Sequence, residues 1–198
     1  MQSGWLARVY ESVWRPVLFG LSTGFGAPSA RREAQEVLRL IGEREGPWLD
    51  LSCGPGALLR HLEAASGPRT VFGVDLSRAM LQRARRAAPH ATLVRADAED
   101  LPFEDGTFGA IANLAALDLY AHPSRVVDEI ARILAPGGRW VGSTFVRRAA
   151  PSAASLVPSS GVRTPSIEEV ADWAKRAGLR RFGNRLFRGY AIAWADKD

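Results

Sequence analysis

Short apolar segments alternate with amphipathic helical segments through the middle of the chain. Helices are predicted at about 56–65, 77–88 and 124–134, and strands at 47–51, 70–74, 91–95, 107–113 and 138–145. Strands that are separated by helical crossovers run parallel in one sheet, and helices cover both faces of such a sheet. The pattern therefore predicts a doubly wound α/β sandwich.

Two further regions complete this fold. The first 45 residues predict two helices, the second of which opens at Pro28-Ser29. After a last helix that begins near Thr164, the segments 179–187 and 189–195 predict two strands of an antiparallel hairpin. We expect the aromatic first helix to cover the ligand pocket as a lid. Peripheral contact with a membrane surface is the alternative.

Composition limits the class of protein. The 198 residues suit a single domain, and Cys53, the one cysteine, fits a reducing compartment. No apolar run is long enough to span a bilayer and no signal peptide is evident, so we expect a cytoplasmic protein. The net charge of +5 comes almost wholly from arginines spread along the chain, which favours solvated surfaces over a nucleic-acid footprint.

A glycine-rich turn follows the first strand of the sandwich. The segment Ser52-Cys53-Gly54-Pro55-Gly56 joins the strand that ends at Leu51 to a helix. Glycines at such a junction let the backbone N–H groups approach a ligand closely. The dinucleotide pattern G-x-G-x-x-G is absent, because no third glycine follows Gly56. The loop alone is compatible with several nucleotide cofactors.

Carboxylates stand at the ends of the next two strands. Asp75 follows the second strand, about 20 residues after the loop, where a carboxylate can accept both hydroxyls of a ribose. Ser77 suits the N-cap of the next helix and so leaves Asp75 for the ligand. Asp97 ends the third strand, where it could accept the exocyclic amine of an adenine. Together with Asp50 in the first strand, these residues indicate a nucleoside ligand.

Four motif blocks resemble those of class I S-adenosylmethionine-dependent methyltransferases, in particular the type 11 branch that includes ubiquinone and menaquinone C-methyltransferases. The resemblance implies a Rossmann-like seven-stranded sheet of order 3-2-1-4-5-7-6 with the last strand antiparallel. It also implies an N-terminal helical lid at 1–45, a cofactor-binding core at 46–198, and S-adenosyl-L-methionine as the methyl donor, with S-adenosyl-L-homocysteine as product. The blocks are 48–56, 73–80, 95–108 and 130–145.

The resemblance also assigns cofactor-binding roles to the strand ends and to the lid. Leu76 would lie against the adenine ring, and Asn113 would offer its backbone carbonyl to the methionine ammonium. The methionine part would further be held by Asp50, Ser52, Cys53, Gly54 and Gly56, the ribose by Asp75, and the adenine by Asp97 and the Ala98 backbone, with Tyr10 closing over the cofactor.

The chain departs from the family pattern at two positions. Ser52 stands where the motif has its first glycine, and it needs a backbone angle that serine tolerates. Gly109 follows Phe108 where an aspartate is usual, and we interpret this as a packing change. We expect the cofactor to bind in spite of both.

In methyl transfer the cofactor brings most of the reactivity. The protein mainly has to align the nucleophile with the methyl carbon and exclude water. If the acceptor is an alcohol, a phenol or a carbon acid, a general base helps as well. Asp118, Tyr120 and His122, which follow the fourth strand, are candidates, and the pattern does not choose among them. No cluster has metal-ligand spacing, so no metal is predicted.

The sequence therefore favours methyl transfer to a small, apolar or aromatic acceptor at carbon, oxygen or nitrogen, by a monomer or a homodimer. Two alternatives stay open. One is an RNA or protein methyltransferase that uses the arginine-rich surface, and the other is a non-catalytic S-adenosylmethionine-binding protein.

Overall fold

The computed structural model describes residues 28–146, 164–187 and 189–198. Within these residues the chain forms seven strands and five α-helices. The strands are β1 Trp48–Leu51, β2 Val71–Val74, β3 Thr92–Val94, β4 Phe108–Leu114, β5 Leu134–Phe145, β6 Arg180–Phe187 and β7 Tyr190–Asp196. The helices are α1 Ala30–Ile41, α2 Leu59–Ala65, α3 Arg78–Ala87, α4 Pro123–Ile133 and α5 Ile167–Arg176.

All seven strands belong to one sheet in the order β3-β2-β1-β4-β5-β7-β6. The first five strands pair in parallel, and β7 is antiparallel to both β5 and β6. The predicted order and the antiparallel last strand are thus confirmed. The strand order reverses between β1 and β4, so the crossover helices on the two sides leave a crevice above the carboxyl ends of these strands.

The two faces of the sheet carry separate apolar cores. On one face α1, α2 and α3 contribute Val37, Leu62 and Ala84, all fully buried. On the other face α4 and α5 contribute Ile130 and Trp173. Every residue of β1 is buried, as expected for a central strand covered on both faces.

Helix α1 packs against the sheet instead of standing apart from it. Its residues Val37 and Ile41 lie in the same core as Val141 of β5 and Tyr190 of β7. The sequence analysis assigned this helix to the N-terminal lid, whereas in the structure it is one layer of the sandwich. The predicted first helix, with Tyr10, lies outside the described residues.

Gly109 explains one departure from the family pattern. A Cβ atom at this position would lie 1.6 Å from the carbonyl oxygen of Glu45. The Gly109 N–H also donates to the Pro47 carbonyl at 3.0 Å. The backbone before β1 therefore passes directly over β4, and any side chain at position 109 would have to displace it.

Candidate active site

The loop after β1 is built from left-handed backbone conformations. Ser52 has a φ of 60°, Gly54 of 53° and Gly56 of 86°. A Cβ at Gly56 would come within 3.0 Å of the Ala84 Cα, so this glycine allows α3 to pack closely. At Gly54 no described residue apart from the two chain neighbours places an atom within 4 Å of the Cβ position. Gly54 therefore leaves open space beside the loop, as close approach by a ligand requires.

Asp75, at the end of β2, holds this loop in place. Its Oδ2 accepts the N–H of Gly54 at 2.9 Å, and its Oδ1 accepts the N–H of Ser77 at 2.8 Å. Ser77 caps α3 as predicted, because its hydroxyl accepts the Met80 N–H. Each carboxylate oxygen retains a lone pair for a further donor. Asp75 can thus fix the loop and still accept the hydroxyls of a ribose.

A hydrogen-bonded group ties the loop to the segment after β4. The Tyr120 hydroxyl lies 2.6 Å from Ser52 Oγ and accepts from Asn113 Nδ2 at 2.9 Å. Asn113 Nδ2 also donates to the Leu51 carbonyl at 2.9 Å. Burial raises the pKa of Tyr120 to about 12, so the phenol keeps its proton at neutral pH. In this structure Tyr120 supports the loop.

Among the residues that the structure describes, two buried oxygen atoms beside the loop have no hydrogen-bond partner, namely Asp50 Oδ2 and Asn113 Oδ1. Burial, and next the negative charge of Asp75, raise the pKa of Asp50 to about 8. Buried acceptors without donors are rare in folded proteins and suit a ligand that brings a donor. The ammonium of a bound methionine would be such a donor, so the residues present fit this cofactor.

Cys53 lies under the same loop with its thiol buried. Burial, with the charges of Asp50 and Asp75 acting in the same direction, raises its pKa well above the usual range. The thiol is therefore protonated and suits packing under the loop, whereas a nucleophile would need the thiolate.

The ends of β2 and β3 present an apolar and an acidic group to solvent. The Leu76 side chain is 61% exposed, which is unusual for a large apolar residue beside a core strand. Asp97 is exposed as well, and its Oδ1 accepts the Glu99 N–H at 3.0 Å. Ala98 is buried between them and α4. An exposed apolar surface next to polar acceptors suits the stacking and edge recognition of a purine.

The three predicted general bases do not converge. Asp118 is buried, accepts the Thr144 hydroxyl at 3.0 Å, and has its pKa raised by burial. His122 is exposed and contacts Glu99, with Nδ1 2.8 Å from Oε2. Tyr120 is the support described above. Each candidate is therefore engaged with a different protein partner.

The sequence analysis missed a second polar cluster at the same edge of the sheet. Glu33 of α1 accepts hydrogen bonds from Ser143 of β5, at 2.8 Å, and from the Tyr190 hydroxyl of β7. These residues are far apart in the sequence and belong to no local motif. A lone glutamate in the first turn of a helix is explained by its favourable interaction with the helix dipole. The sequence pattern therefore gave no reason to assign Glu33 to a functional site.

In residues 28–146, 164–187 and 189–198, no helix is long and apolar enough to cross a membrane. No three His, Cys, Asp or Glu side chains in the same ranges are grouped so that they could hold a metal ion.

The chain matches known methyltransferases in sequence. The model of a methyltransferase domain family, type 11, matches residues 49–142. Over 162 residues the chain is 37% identical to the phthiotriol/phenolphthiotriol dimycocerosates methyltransferase of Mycobacterium leprae, a match that covers 81% of this chain and 54% of that protein. The chain spans between about a third and a half of the length of the curated relatives it matches.

Solved structures show the same fold. An S-adenosylmethionine-dependent methyltransferase of Thermotoga maritima superposes with a TM-score of 0.71 at 19% identity, covering 96% of this chain and 99% of that one. The geranyl diphosphate C-methyltransferase of Streptomyces coelicolor, solved with S-adenosyl-L-homocysteine, gives 0.72 at 19% identity, over 85% and 76% of the two chains. Residues 49–142 match the type 11 methyltransferase domain family, and the chain has the class I S-adenosylmethionine-dependent methyltransferase fold.

Proposed function

We propose that the protein transfers the methyl group of S-adenosyl-L-methionine to a small, apolar or aromatic acceptor at carbon, oxygen or nitrogen. One arrangement carries this proposal. Three groups lie at the carboxyl ends of β1, β2 and β4, namely the open loop surface at Gly54, the Asp75 carboxylate, and the oxygens of Asp50 and Asn113 that lack partners among the described residues. These groups complement a ligand that has a cationic amine at one end and a ribose near its middle.

Each residue around the crevice has a proposed task. The loop residues 50–56 and Asn113 hold the methionine part, Asp75 the ribose, and Leu76 with Asp97 and Ala98 the adenine. The cofactor, when bound, supplies a methyl group made electrophilic by its sulfonium. The protein's contribution is to align the nucleophile with that methyl group and to exclude water. The lid, with Tyr10, and the cytoplasmic location stay predictions.

The apolar character of the proposed acceptor rests on exposed leucines near the crevice. Leu119, in the turn Leu117–Leu119 after β4, is 66% exposed. Together with Leu76 it offers apolar surface at the edge where the strands end. Two similar proteins have lipid-like or isoprenoid compounds in their names, namely dimycocerosates and geranyl diphosphate. The apolar chains of these two compounds support the proposal that the acceptor of this chain has an apolar portion.

Calorimetric binding tests the cofactor. S-adenosyl-L-methionine and S-adenosyl-L-homocysteine should bind, and NAD should not. Asp75→Ala should weaken the binding of S-adenosyl-L-homocysteine at least tenfold, which corresponds to about 1.4 kcal/mol, because charge-assisted hydrogen bonds to the ribose are lost. Asp128→Ala is the control, since Asp128 lies exposed on α4. Failure of the wild type to bind either compound would overturn the proposal.

Transfer of a labelled methyl group into fractionated cell extract tests the acceptor. Label in the organic-soluble fraction would support an apolar small molecule. Label confined to RNA or protein would instead support the alternative in which the arginine-rich surface binds a macromolecule. Cofactor binding with no label in any fraction would point to a non-catalytic S-adenosylmethionine-binding protein.

A further inference from the structure

The cluster of Glu33, Ser143 and Tyr190 contains a carboxylate that none of the roles above uses. Ser143 lies near the carboxyl end of β5. Tyr190 begins β7, which is antiparallel to β5, so Tyr190 lies at the same edge of the sheet. Helix α1 brings Glu33 of its first turn to this edge. All three residues therefore stand where the parallel strands end and the crevice opens.

The cluster is close to the methionine end of the proposed cofactor site. The Ala115 N–H, just after β4, donates to the Ser143 carbonyl at 2.8 Å and to its Oγ at 3.1 Å. Asn113, two residues earlier, pairs with Gly142 in the adjacent strand. The cluster therefore lies beside the end of β4, on its β5 side. The methionine ammonium is proposed to bind at this end of β4.

The contacts within the cluster form a closed triangle of oxygen atoms. Ser143 Oγ lies 2.8 Å from Glu33 Oε1 and 2.6 Å from the Tyr190 hydroxyl, which in turn donates to Glu33 Oε1. With Glu33 ionised, the triangle has only two hydroxyl protons for its three contacts. The two hydroxyl groups therefore hold Glu33 Oε1 and leave Oε2 as the oxygen that can take up a proton.

Two observations make Glu33 the group that receives this proton. Burial, and next the charge of Glu33 itself, raise the pKa of Tyr190 well above its ordinary value, so the phenol remains a donor. Both hydrogen bonds to Glu33 within the described residues end on Oε1. Glu33 Oε2 has no hydrogen-bond partner among the described residues.

We propose that Glu33 is the proton acceptor for the methyl acceptor, with Ser143 and Tyr190 as positioning residues. This inference rests on the proposed function and narrows the substrate to an acceptor whose nucleophile carries a proton, such as an alcohol or a phenol. The nucleophile forms its bond to the methyl carbon, the carbon–sulfur bond breaks with its electron pair left on sulfur, and the O–H proton moves to Glu33.

Other charged groups are present on α1 and in the turn after β4. On α1 itself, Glu36 lies one turn further on and binds Arg39 and Arg185. From the turn after β4, the negative charge of Asp118 acts on Tyr190. The strands β5 and β7 contribute Ser143 and Tyr190 to the contact with Glu33. Glu36→Gln is therefore a matched control, because it removes the same charge from the same helix outside the cluster.

The experiment measures the protons taken up when each cofactor form binds. Binding heats of S-adenosyl-L-methionine and S-adenosyl-L-homocysteine are compared in buffers of different ionisation enthalpy, between about pH 5 and pH 8. The positive charge of the sulfonium in S-adenosyl-L-methionine favours the ionised form of a nearby carboxylate. S-adenosyl-L-homocysteine lacks this charge and therefore favours the protonated carboxylate. The wild type and Glu36→Gln should therefore take up more protons with the homocysteine form than with the methionine form. Glu33→Gln should abolish this difference and change the affinity for S-adenosyl-L-homocysteine by less than about tenfold.

Tyr190→Phe distinguishes a positioning role from a merely structural one. The variant removes one donor to the Glu33 carboxylate, so the proton uptake should move to higher pH while the homocysteine form still binds. An unchanged pH range would overturn the role of Tyr190. A proton difference that persists in Glu33→Gln, or that is absent from the wild type, would overturn the role of Glu33 while the cofactor assignment stands. Absence of any cofactor binding would overturn the proposed function and this inference with it.

Discussion

The Tyr120 hydroxyl contacts the Ser52 hydroxyl at 2.6 Å and thereby joins the loop after β1 to the turn after β4. Ser52 has a φ of 60°, a conformation that costs a residue with a Cβ about 1–2 kcal/mol. A buried hydrogen bond contributes about 1 kcal/mol. The contact therefore offsets much of the cost of having a serine where the family pattern has a glycine.

Tyr120→Phe should weaken the binding of S-adenosyl-L-homocysteine by about three- to tenfold, because the loop loses the hydrogen bond that fixes Ser52. Calorimetry measures the change. In a Ser52→Ala background the same substitution should have little further effect, because the two residues act as a pair. Fully additive effects would contradict the supporting role, and an effect on transfer with none on binding would return Tyr120 to the candidate bases.

Asp50→Asn should make the free energy of unfolding less dependent on pH. Burial raises the pKa of Asp50 in the folded protein to about 8, from an ordinary value of 3.8. Between these values the unfolded chain releases a proton that the folded protein retains, so the stability of the wild type falls as pH rises through this window. Asparagine stays neutral in both states. At about pH 8 the variant should be more stable than the wild type by roughly 1 kcal/mol or more.

Urea unfolding of both proteins at about pH 5 and pH 8 checks this expectation. The difference between the two proteins isolates Asp50 from groups such as Asp196, whose pKa is lowered by Arg139 and which contributes the opposite slope. Parallel pH dependences would show that Asp50 is ionised in the folded protein.

Gly109→Ala should lower the free energy of unfolding by about 3 kcal/mol or more, because the new methyl group would meet the Glu45 carbonyl, a backbone atom that cannot rotate away. Urea unfolding provides the measurement. Gly137→Ala is the matched control: that glycine has a φ of 74° but open space around it, and alanine there should cost only about 1 kcal/mol. Equal losses in the two variants would rule out the proposed clash.

Arg132→Met should destabilise the segment between β3 and β4 and lower the free energy of unfolding by about 2–3 kcal/mol. Arg132 donates to the carbonyls of Leu101 and Phe103 and pairs with Glu129 and Asp105. Thermal unfolding is a suitable measurement. Arg125→Met should cost no more than about 0.5 kcal/mol, because that side chain is 70% exposed and comes no closer than 4.0 Å to the Glu99 carboxylate. If both variants lost the same stability, the bonds of Arg132 would not hold this segment.

The strands and helices could be predicted because their determinants are local, since the alternation of apolar and amphipathic segments specifies them. The order of the strands was implied by the resemblance to class I methyltransferases. The Ser77 cap was found from the local sequence as well, since a cap is recognised over four residues. The position of Asp75 at a strand end could also be predicted from the local sequence, although its hydrogen bond to the loop backbone was not predicted.

The remaining features depend on contacts between distant residues. The Tyr120–Ser52 contact joins positions 68 apart, and the backbone crossing over Gly109 leaves no pattern in side-chain chemistry. The apolar stripe of α1, with Val37 and Ile41, is the same whether the helix covers a pocket or a sheet. Sequence alone therefore assigned α1 to the lid, and it passed over Glu33.

The contact between Glu33 and Tyr190 joins residues 157 positions apart. During synthesis Glu33 leaves the ribosome early, whereas Tyr190 and the rest of β7 emerge long after the strands that form the crevice. β7 also inserts between β5 and β6. The contact between Glu33 and Tyr190 therefore cannot form until β7 has been synthesised. The order of translation itself would then keep the proposed proton acceptor incomplete until the fold is nearly finished.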